Sequence, residues 1–379
     1  MLEYFAEDML VRLHIEQDNV IREEIFSIRG RVHFINSRKR WSRQCNVCVR
    51  RNNMDNQQGK RIGVLTSGGD APGMNGVIRA VTRTSINSGV QVMGIRRGYH
   101  GLYKGEVVEL NARSVSGKLS QGGTFLNTAR SEHFMTEEGL EQAAKMTKVF
   151  DLDGVVACGG DGTMKGATAL ARVGVPVIFI PATIDNDVGC TDYTIGFDTA
   201  LNTAIVAVDK LKDTASSHER CSVIEVMGRE TGYLALHVGI ATGAEIILIP
   251  EHPVDRERDV LGKILTARNR GKHHYIVIVA EGAVESSIEV ANYIEDKTQI
   301  EARATVLGYF QRGGAPTYFD RYIASMMGIK AVECLISGRQ NRAIVYRNGQ
   351  VLDDDLFECL NMTKKIDEVD FQQAKILSI

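Results

Sequence analysis

Cysteine is scarce: seven in a chain of 379 residues, too few for a disulfide scaffold. Cys158, Cys221 and Cys334 stand among apolar or small residues, where they are expected to pack as small hydrophobes. Cys45 and Cys48 form a C-x-x-C, but no second such pair and no His-x-x-x-His completes a zinc set. Long apolar runs are also missing; none approaches the roughly 20 residues of a membrane span. The opening MLEYFAEDML carries acidic residues and lacks the basic region and clean apolar core of a secretion signal. No membrane partner is expected, and the expected compartment is the cytoplasm. Neither sign of charge dominates: 45 basic against 47 acidic residues give a net charge of −2, so no global field favours nucleic acid. Short repeats, low-complexity tracts and a Pro/Gly-rich linker are absent as well. What is left is a chain of ordinary globular composition, long enough for two domains and a large core.

Residues 1–53 differ from the rest. They hold the only tryptophan, Trp41, and no proline, and arginine outnumbers lysine nine to one, against twenty to fifteen in the remainder. From Arg29 to Arg51 there are eight basic residues and no acidic one, which suits an arm for an anionic partner. The other reading is that translation begins at Met54, because DNQQGKR then leads straight into the first apolar strand. The start at Met54 is the one expected, which makes 1–53 an extension arising from start-site assignment.

From residue 60 onward short apolar runs alternate with helical patterns. Expected strands are Ile62–Leu65, Val92–Ile95, Gly154–Cys158, Val175–Ile180, Ser222–Met227, Glu245–Ile249, Tyr275–Ala280 and Ala304–Tyr309. Several are β-branched and continuously apolar, as strands covered on both faces are. Expected helices include Thr199–Lys212, Asp255–Arg270 and Arg321–Ile336. The first carries Leu201, Ala204, Ile205, Val208 and Leu211 in one stripe, and Gly271 stands where a helix C-terminal glycine belongs. Such alternation argues for doubly wound, predominantly parallel sheets with ligands beyond the carboxyl ends of the strands.

Three motifs carry the chemistry. KRIGVLTSGGDAPGMN, from Lys60 to Asn75, joins an apolar strand to a helix through a glycine-rich turn. Such a turn lets backbone N–H groups approach an anion at a helix N-terminus. Gly159-Gly160-Asp161-Gly162-Thr163 repeats the arrangement, and Asp161 offers the hard oxygen that Mg²⁺ prefers beside phosphate and water. Taken alone it reads equally well as a plain strand–helix turn. Thr183-Ile184-Asp185-Asn186-Asp187 follows another apolar strand; its two carboxylates suit a proton acceptor and a group near a metal, or else simple turn capping. Arg130, Arg220, Arg229, Arg303 and Arg312 lie near other strand ends, and guanidinium groups suit phosphate. Together these features imply phosphoryl transfer from a nucleotide to a phosphorylated acceptor.

The stretches SGGDAPGMN, GGTFLNTARS, GGDGT, PATIDNDVGCTDYTIGFDTA, SSHERCSVIEVMGRETG, ARATVLGYFQRGGAP and FDRYIAS resemble the bacterial type of ATP-dependent 6-phosphofructokinase, in one register from about Lys60 to about Gly338. The resemblance implies an α/β fold of two doubly wound domains with largely parallel sheets. The nucleotide-binding domain would comprise 54–195 with 310–360, and the sugar-phosphate and effector domain 196–309 with 361–379. The implied reaction is transfer of the ATP γ-phosphoryl group to the 1-hydroxyl of fructose 6-phosphate in glycolysis, with Mg²⁺. Asp185 is then the base, with Thr183, Arg130 and Arg229 completing the catalytic set. Gly69, Arg130, Ser131, Gly160, Asp161, Gly162 and Thr163 would hold ATP. Asp161 would bind the metal, with Asp187 close to the metal-bound phosphates. Thr183, Ile184, Asp185, Met227, Gly228, Arg229, Glu281 and Tyr309 would meet the sugar phosphate. Arg220, Arg303 and Arg312 would grip the 6-phosphate, two of them reaching in from another subunit of a homotetramer. Arg79, Arg83, Lys212, Gly243, Glu245, Arg270 and Lys272 match the pocket for ADP- or phosphoenolpyruvate-type effectors.

Departures from the family pattern are few. Pyrophosphate-dependent relatives place aspartate at Gly162 and lysine at Ala182, so the residues here favour ATP, although Ala182 replaces the usual glycine. The competing readings are pyrophosphate as donor and a catalytically silent homologue; the latter fits poorly with Asp161, Asp185, Asp187, Arg130 and Arg229 all present. Ala112, Gly117 and His273 replace an arginine, an aspartate and a lysine of the effector pocket, which predicts a weakened or altered response. Tyr309 stands where histidine is usual, and a phenol still donates one hydrogen bond but cannot become cationic. The sugar-phosphate Michaelis constant is therefore expected to fall modestly in Tyr309→His; an unchanged constant by steady-state kinetics disproves the reading.

Overall fold

The structure, a computed structural model, describes residues 2–6, 9–15, 21–27, 32–34, 59–129 and 131–377. The chain divides into two compact units, Met1–Asp55 and Asn56–Ile379. In the first, strands β1 (Leu2–Ala6), β2 (Met9–Ile15), β3 (Ile21–Ser27) and β4 (Val32–Phe34) form an antiparallel sheet in sequence order. Trp41, Cys45, Cys48 and Met54 lie outside the described residues.

The second unit holds two sheets. The larger uses β5 (Arg61–Thr66), β6 (Gln91–Ile95), β7 (Val107–Leu110), β8 (Gly154–Gly159), β9 (Val177–Pro181), β14 (Arg342–Arg347) and β15 (Gln350–Asp355), in the order β15-β14-β9-β8-β5-β6-β7. The smaller uses β10 (Cys221–Val226), β11 (Ile246–Leu248), β12 (Tyr275–Ala280) and β13 (Ala302–Val306), all parallel, in the order β11-β12-β10-β13. Only β7 and β15 run antiparallel to their neighbours in these two sheets. Around them pack α1 (Met74–Asn87), α2 (Gly98–Lys104), α3 (Glu137–Val149), α4 (Asp161–Arg172), α5 (Phe197–His218), α6 (Tyr233–Thr242), α7 (Gly262–Asn269), α8 (Ser287–Thr298), α9 (Tyr318–Ile336), α10 (Leu356–Leu360) and α11 (Glu368–Leu377). The expected doubly wound, largely parallel α/β architecture is present. Among the described residues no helix is long and apolar enough to cross a membrane.

The β-branched runs are buried for the reason their sequence suggests: helices cover both faces. Every residue of β8, β9 and β12 is buried, and Cys158, Cys221 and Cys334 sit fully inside as small hydrophobes. Each valine or isoleucine so buried stabilises by about 1.5–3 kcal/mol. Helices α1 and α9 approach closely because Gly328 has no side chain; a Cβ there would lie 2.6 Å from that of Ala80.

Most expected elements shift by a few residues at their ends, and the helix expected over Thr199–Lys212 runs from Phe197 to His218; three differences have a physical cause or mark a boundary. The strand expected over Ala304–Tyr309 begins at Ala302 and stops at Val306. Leu307 N–H bonds Glu225, and Gly308 at φ 50° starts a 3₁₀ turn through Arg312. The helix expected over Asp255–Arg270 opens with a wide π turn at Arg256–Leu261, capped by the Asp255 carboxylate, before α7. The strand at Val175 starts two residues later, at Val177. The hairpin β14–β15 was not anticipated, although Asn348-Gly349, with φ 51° and 77°, supplies the left-handed pair a tight hairpin turn requires.

Each sheet has a switch point where successive crossovers leave in opposite directions, opening a crevice at the carboxyl ends. In the large sheet it lies between β5 and β8, and in the small sheet between β10 and β12. Asp320, on α9, fixes the chain between the two sheets. It is fully buried and accepts from Gly196 N–H at 2.7 Å, Thr199 N–H at 2.8 Å and the Thr199 hydroxyl at 2.5 Å, closing the N-terminus of α5 from another helix. Asp320→Ala leaves those donors buried and unpaired, and should cost about 2–4 kcal/mol. A melting temperature equal to wild type in thermal denaturation would refute that account.

Candidate active site

The first crevice is lined by two glycine-rich turns. Ser67 N–H bonds the Cys158 carbonyl at 3.0 Å, drawing the loop after β5 onto the end of β8. Gly69 is required by its neighbour: a Cβ there would lie 2.2 Å from a guanidinium nitrogen of Arg312, whose Nη1 donates to the Asp70 carbonyl at 3.2 Å. Gly160 caps α4, which places Asp161, Gly162 and Thr163 on its first turn. A Cβ at Gly162 would meet open space. These turns, with Ser131, Thr183, Asp185, Arg229 and Arg312, enclose a cavity of about 320 Å³. Its far wall was not foreseen: Tyr99 stacks on Phe134 at 4.4 Å and donates to the Thr163 carbonyl at 2.7 Å. Neither aromatic has a local sequence signal that separates it from core.

Beyond β9 the chain makes the carboxylate loop. Asp185 is 2% exposed. Its Oδ2 accepts from the Thr183 hydroxyl at 3.3 Å and lies 3.7 Å from Arg229 Nε; its Oδ1 has no partner among the described residues. Burial, then the charge of Asp187, pushes its pKa up to about 6, against the pull of Arg312 and Arg229. Asp187 is raised too, chiefly by burial and also by Asp161, while Arg229 and Lys364 oppose the shift; its Oδ1 is likewise buried without a partner. Asn186, between them, takes a left-handed conformation at φ 52° and clasps the loop: its Nδ2 donates to the Asp192 carbonyl and its Oδ1 accepts from Thr194 N–H. Asp161 pairs with Lys165 at 2.6 Å. No group of three or more His, Cys, Asp or Glu converges among the described residues. An ion preferring one or two carboxylates with phosphate oxygens and water fits Asp161, with the unpartnered Asp187 oxygen nearby.

The second crevice faces the same loop. Arg229 has φ 55°, a conformation that costs a non-glycine residue about 1–3 kcal/mol. It is held there because its N–H and that of Gly228 both donate to Glu281 Oε1, at 2.6 and 3.3 Å. Thr231 joins the two crevices by donating to the Asp185 carbonyl at 3.3 Å. Ile184 is fully buried and Met227 nearly so.

Other expected site residues lie elsewhere. Arg220 and Arg303 both pair with Glu301, at 2.6 and 2.7 Å, at the amino ends of β10 and β13. A six-residue strand, about 20 Å, separates them from Met227, so within one chain they do not join Asp185. Tyr309 is 81% exposed. Arg130 lies outside the described residues. Of the expected effector residues, Lys212 donates to the Thr242 carbonyl beside Gly243, and Lys272 pairs with Glu245, which also accepts from Ile276 N–H. Arg270 closes the C-terminus of α7. Arg79 and Arg83 lie one turn apart on α1, against the large sheet, where burial and mutual repulsion lower the Arg79 pKa.

A family model described as phosphofructokinase matches residues 61–335. The ATP-dependent 6-phosphofructokinase of Alkaliphilus metalliredigens (strain QYMF) is 51% identical over 320 residues, covering 84% of this chain and 100% of the relative. That of Clostridium botulinum (strain Loch Maree / Type A3) is 51% identical over 319 residues, covering 84% and 99%. Among solved structures, phosphofructokinase from Saccharomyces cerevisiae superposes with a TM-score of 0.75 at 33% identity, over 84% of this chain and 48% of that one. The Pichia pastoris enzyme in the T-state gives 0.76 at 37%, over 79% and 35%. The chain thus spans about half the Saccharomyces chain and about a third of the Pichia one. A pyrophosphate-dependent phosphofructokinase from Marinobacter aquaeolei shares the fold, with a TM-score of 0.74 at 22% identity, over 81% of this chain and 86% of that one.

In any reaction where Asp185 accepts a proton, the carboxyl must be ionised. Its raised pKa puts that activity above about pH 6 and loses it as pH falls through that value. The logarithm of kcat/KM should decline with a slope near one below about 6; a profile flat to pH 5 excludes Asp185 as the base.

Proposed function

The chain belongs to the phosphofructokinase family, and we infer that it transfers the γ-phosphoryl group of ATP to the 1-hydroxyl of fructose 6-phosphate, giving fructose 1,6-bisphosphate in glycolysis. One observation carries the reading: a buried carboxyl with a pKa near 6, beside Arg229 and Arg312, faces a cavity walled by two glycine-rich turns.

ATP occupies the first crevice, its phosphates against Gly69, Ser131 and the Gly160–Thr163 turn, with Arg130 completing the grip. Fructose 6-phosphate occupies the second, its sugar against Ile184, Met227, Gly228, Glu281 and Tyr309. Asp185 takes the proton of the 1-hydroxyl as that oxygen attacks the γ-phosphorus, and the bond from the γ-phosphorus to the bridging oxygen breaks, with ADP leaving. Arg229, Arg130 and Thr183 steady the transferring group, and Arg229's strained backbone holds its guanidinium on the cleft side of Asp185. Mg²⁺ fits Asp161, and when bound it neutralises charge on the phosphate oxygens. Arg312 meets the 6-phosphate from the same chain. Arg220 and Arg303 serve the site of a neighbouring subunit in a homotetramer, a reading supported by their distance from Asp185 and by the exposure of Tyr309 and Phe310. The domain division at 54–195 with 310–360, against 196–309 with 361–379, follows the two sheets. Lys212, Gly243, Glu245, Arg270 and Lys272 form one half of an effector pocket for ADP- or phosphoenolpyruvate-type anions, and Arg79 and Arg83 the other half. A glycolytic role goes with a cytoplasmic location.

ATP is favoured over pyrophosphate as donor by the relatives named ATP-dependent and by the open space at Gly162, where an aspartate would project toward the nucleotide. With purified protein, Mg²⁺ and fructose 6-phosphate, turnover is expected with ATP and not with pyrophosphate, and Asp185→Ser should lower it about 10²–10⁴-fold. Turnover with pyrophosphate alone reverses the donor assignment. No turnover with either donor, from folded protein, makes the chain a silent homologue.

A further inference from the structure

The segment after α10 runs beneath the carboxylate loop. A Cβ on Gly189 would lie 2.1 Å from the Met362 carbonyl oxygen, so the two backbones touch. Arg347 donates to the Cys190 carbonyl at 2.8 Å, and Thr191 exchanges hydrogen bonds with the backbone of Tyr346. Two residues past Met362, Lys364 extends its ammonium to the Asp192 carbonyl at 2.8 Å. That carbonyl also receives the side chain of Asn186, the residue between the two carboxylates. The same ammonium lies 5.1 Å from the centre of the Tyr233 ring, within cation–π range. The Tyr233 hydroxyl and Asp187 Oδ1 are both buried without partners among the described residues.

Asp187 faces the negative charge of both Asp185 and Asp161 here. Arg229 and Arg312 line the cleft, where incoming phosphates compete for their charge. Lys364 does not line that cavity. Its charge is therefore not one that phosphates entering the cavity meet directly. Desolvation lowers its pKa to about 8, while Asp192 and Asp187 hold it up, so it is mostly charged at neutral pH.

We propose that Lys364 is a positioning residue for phosphoryl transfer: it fixes the 185–192 loop from behind and counterbalances Asp187, so that both carboxylates keep their place in the cleft. The proposal rests on the reading of Asp185 and Asp187 given above. Misplacing reacting groups by about 1 Å can cost as much as 100-fold.

Steady-state kinetics of Lys364→Met, Lys364→Arg, Asp187→Asn and the double variant Lys364→Met/Asp187→Asn test it. Lys364→Met should lower kcat by about tenfold or more with both Michaelis constants within about twofold, and Lys364→Arg should recover most of the loss. On Asp187→Asn, the methionine change should cost clearly less than on wild type, because the part of its effect that runs through Asp187 is already gone. Wild-type kcat in Lys364→Met overturns the proposal. So does a loss that arginine does not rescue and that comes with a lowered melting temperature, or one that multiplies undiminished on Asp187→Asn. Wild-type turnover in the same assay separates the two levels: if present, these outcomes defeat the role of Lys364 alone; if absent, the underlying reading falls and this one with it.

Discussion

A carboxylate taken out of water is costly unless donors and cations surround it, and the geometry around Asp185 follows from meeting that cost without neutralising the group. One oxygen has the Thr183 hydroxyl and Arg229 close by, and the other has no partner among the described residues. Complete pairing would leave a carboxylate too weakly basic to take a proton. Too little would leave it protonated at neutral pH. Arg229 reaches its place only through a left-handed backbone that Glu281 holds from the opposite crevice. Arg312 reaches its own only because Gly69 has no side chain.

The two sheets bring their switch points to the same loop, and polar links as well as a shared apolar core join them. Thr231 links the Arg229 turn to the Asp185 carbonyl. Asp320 binds the start of α5 from within α9 and so sets where the chain leaves the carboxylate loop. These polar contacts trim the spacing of the site over an apolar core that runs through both sheets by way of Ile184, Phe197 and Met227.

Much of this was legible in the sequence because it is local. β-Branched runs such as Val155–Val156 and Tyr275–Ala280 announce buried parallel strands. The glycine-rich turns and the Asp185–Asp187 segment each contain their own chemistry within a few residues. What was not legible depends on partners distant in the chain. Lys364 and Tyr233 carry no motif, and their relation to Asp187 exists only once the C-terminal segment has folded under the loop. The overshoot at Ala304–Tyr309 has a plainer cause: Leu307 and the outward-facing Tyr309 extend the apolar run past Val306, where the strand ends. The β14–β15 hairpin carried an Asn-Gly signal that β-strand pattern alone did not bring forward.

Glu301 holds both Arg220 and Arg303, and if these two guanidiniums receive a phosphate, as proposed, this single acid would make them a filter for valence. A monoanion arriving there must displace a carboxylate of its own charge and gains little by the exchange. A phosphate monoester, with nearly two negative charges at neutral pH and three oxygens to share, gains at both arginines at once. In the proposed assembly, Glu301 would therefore keep the two arginines oriented while they wait, and would favour a doubly charged sugar phosphate over singly charged anions.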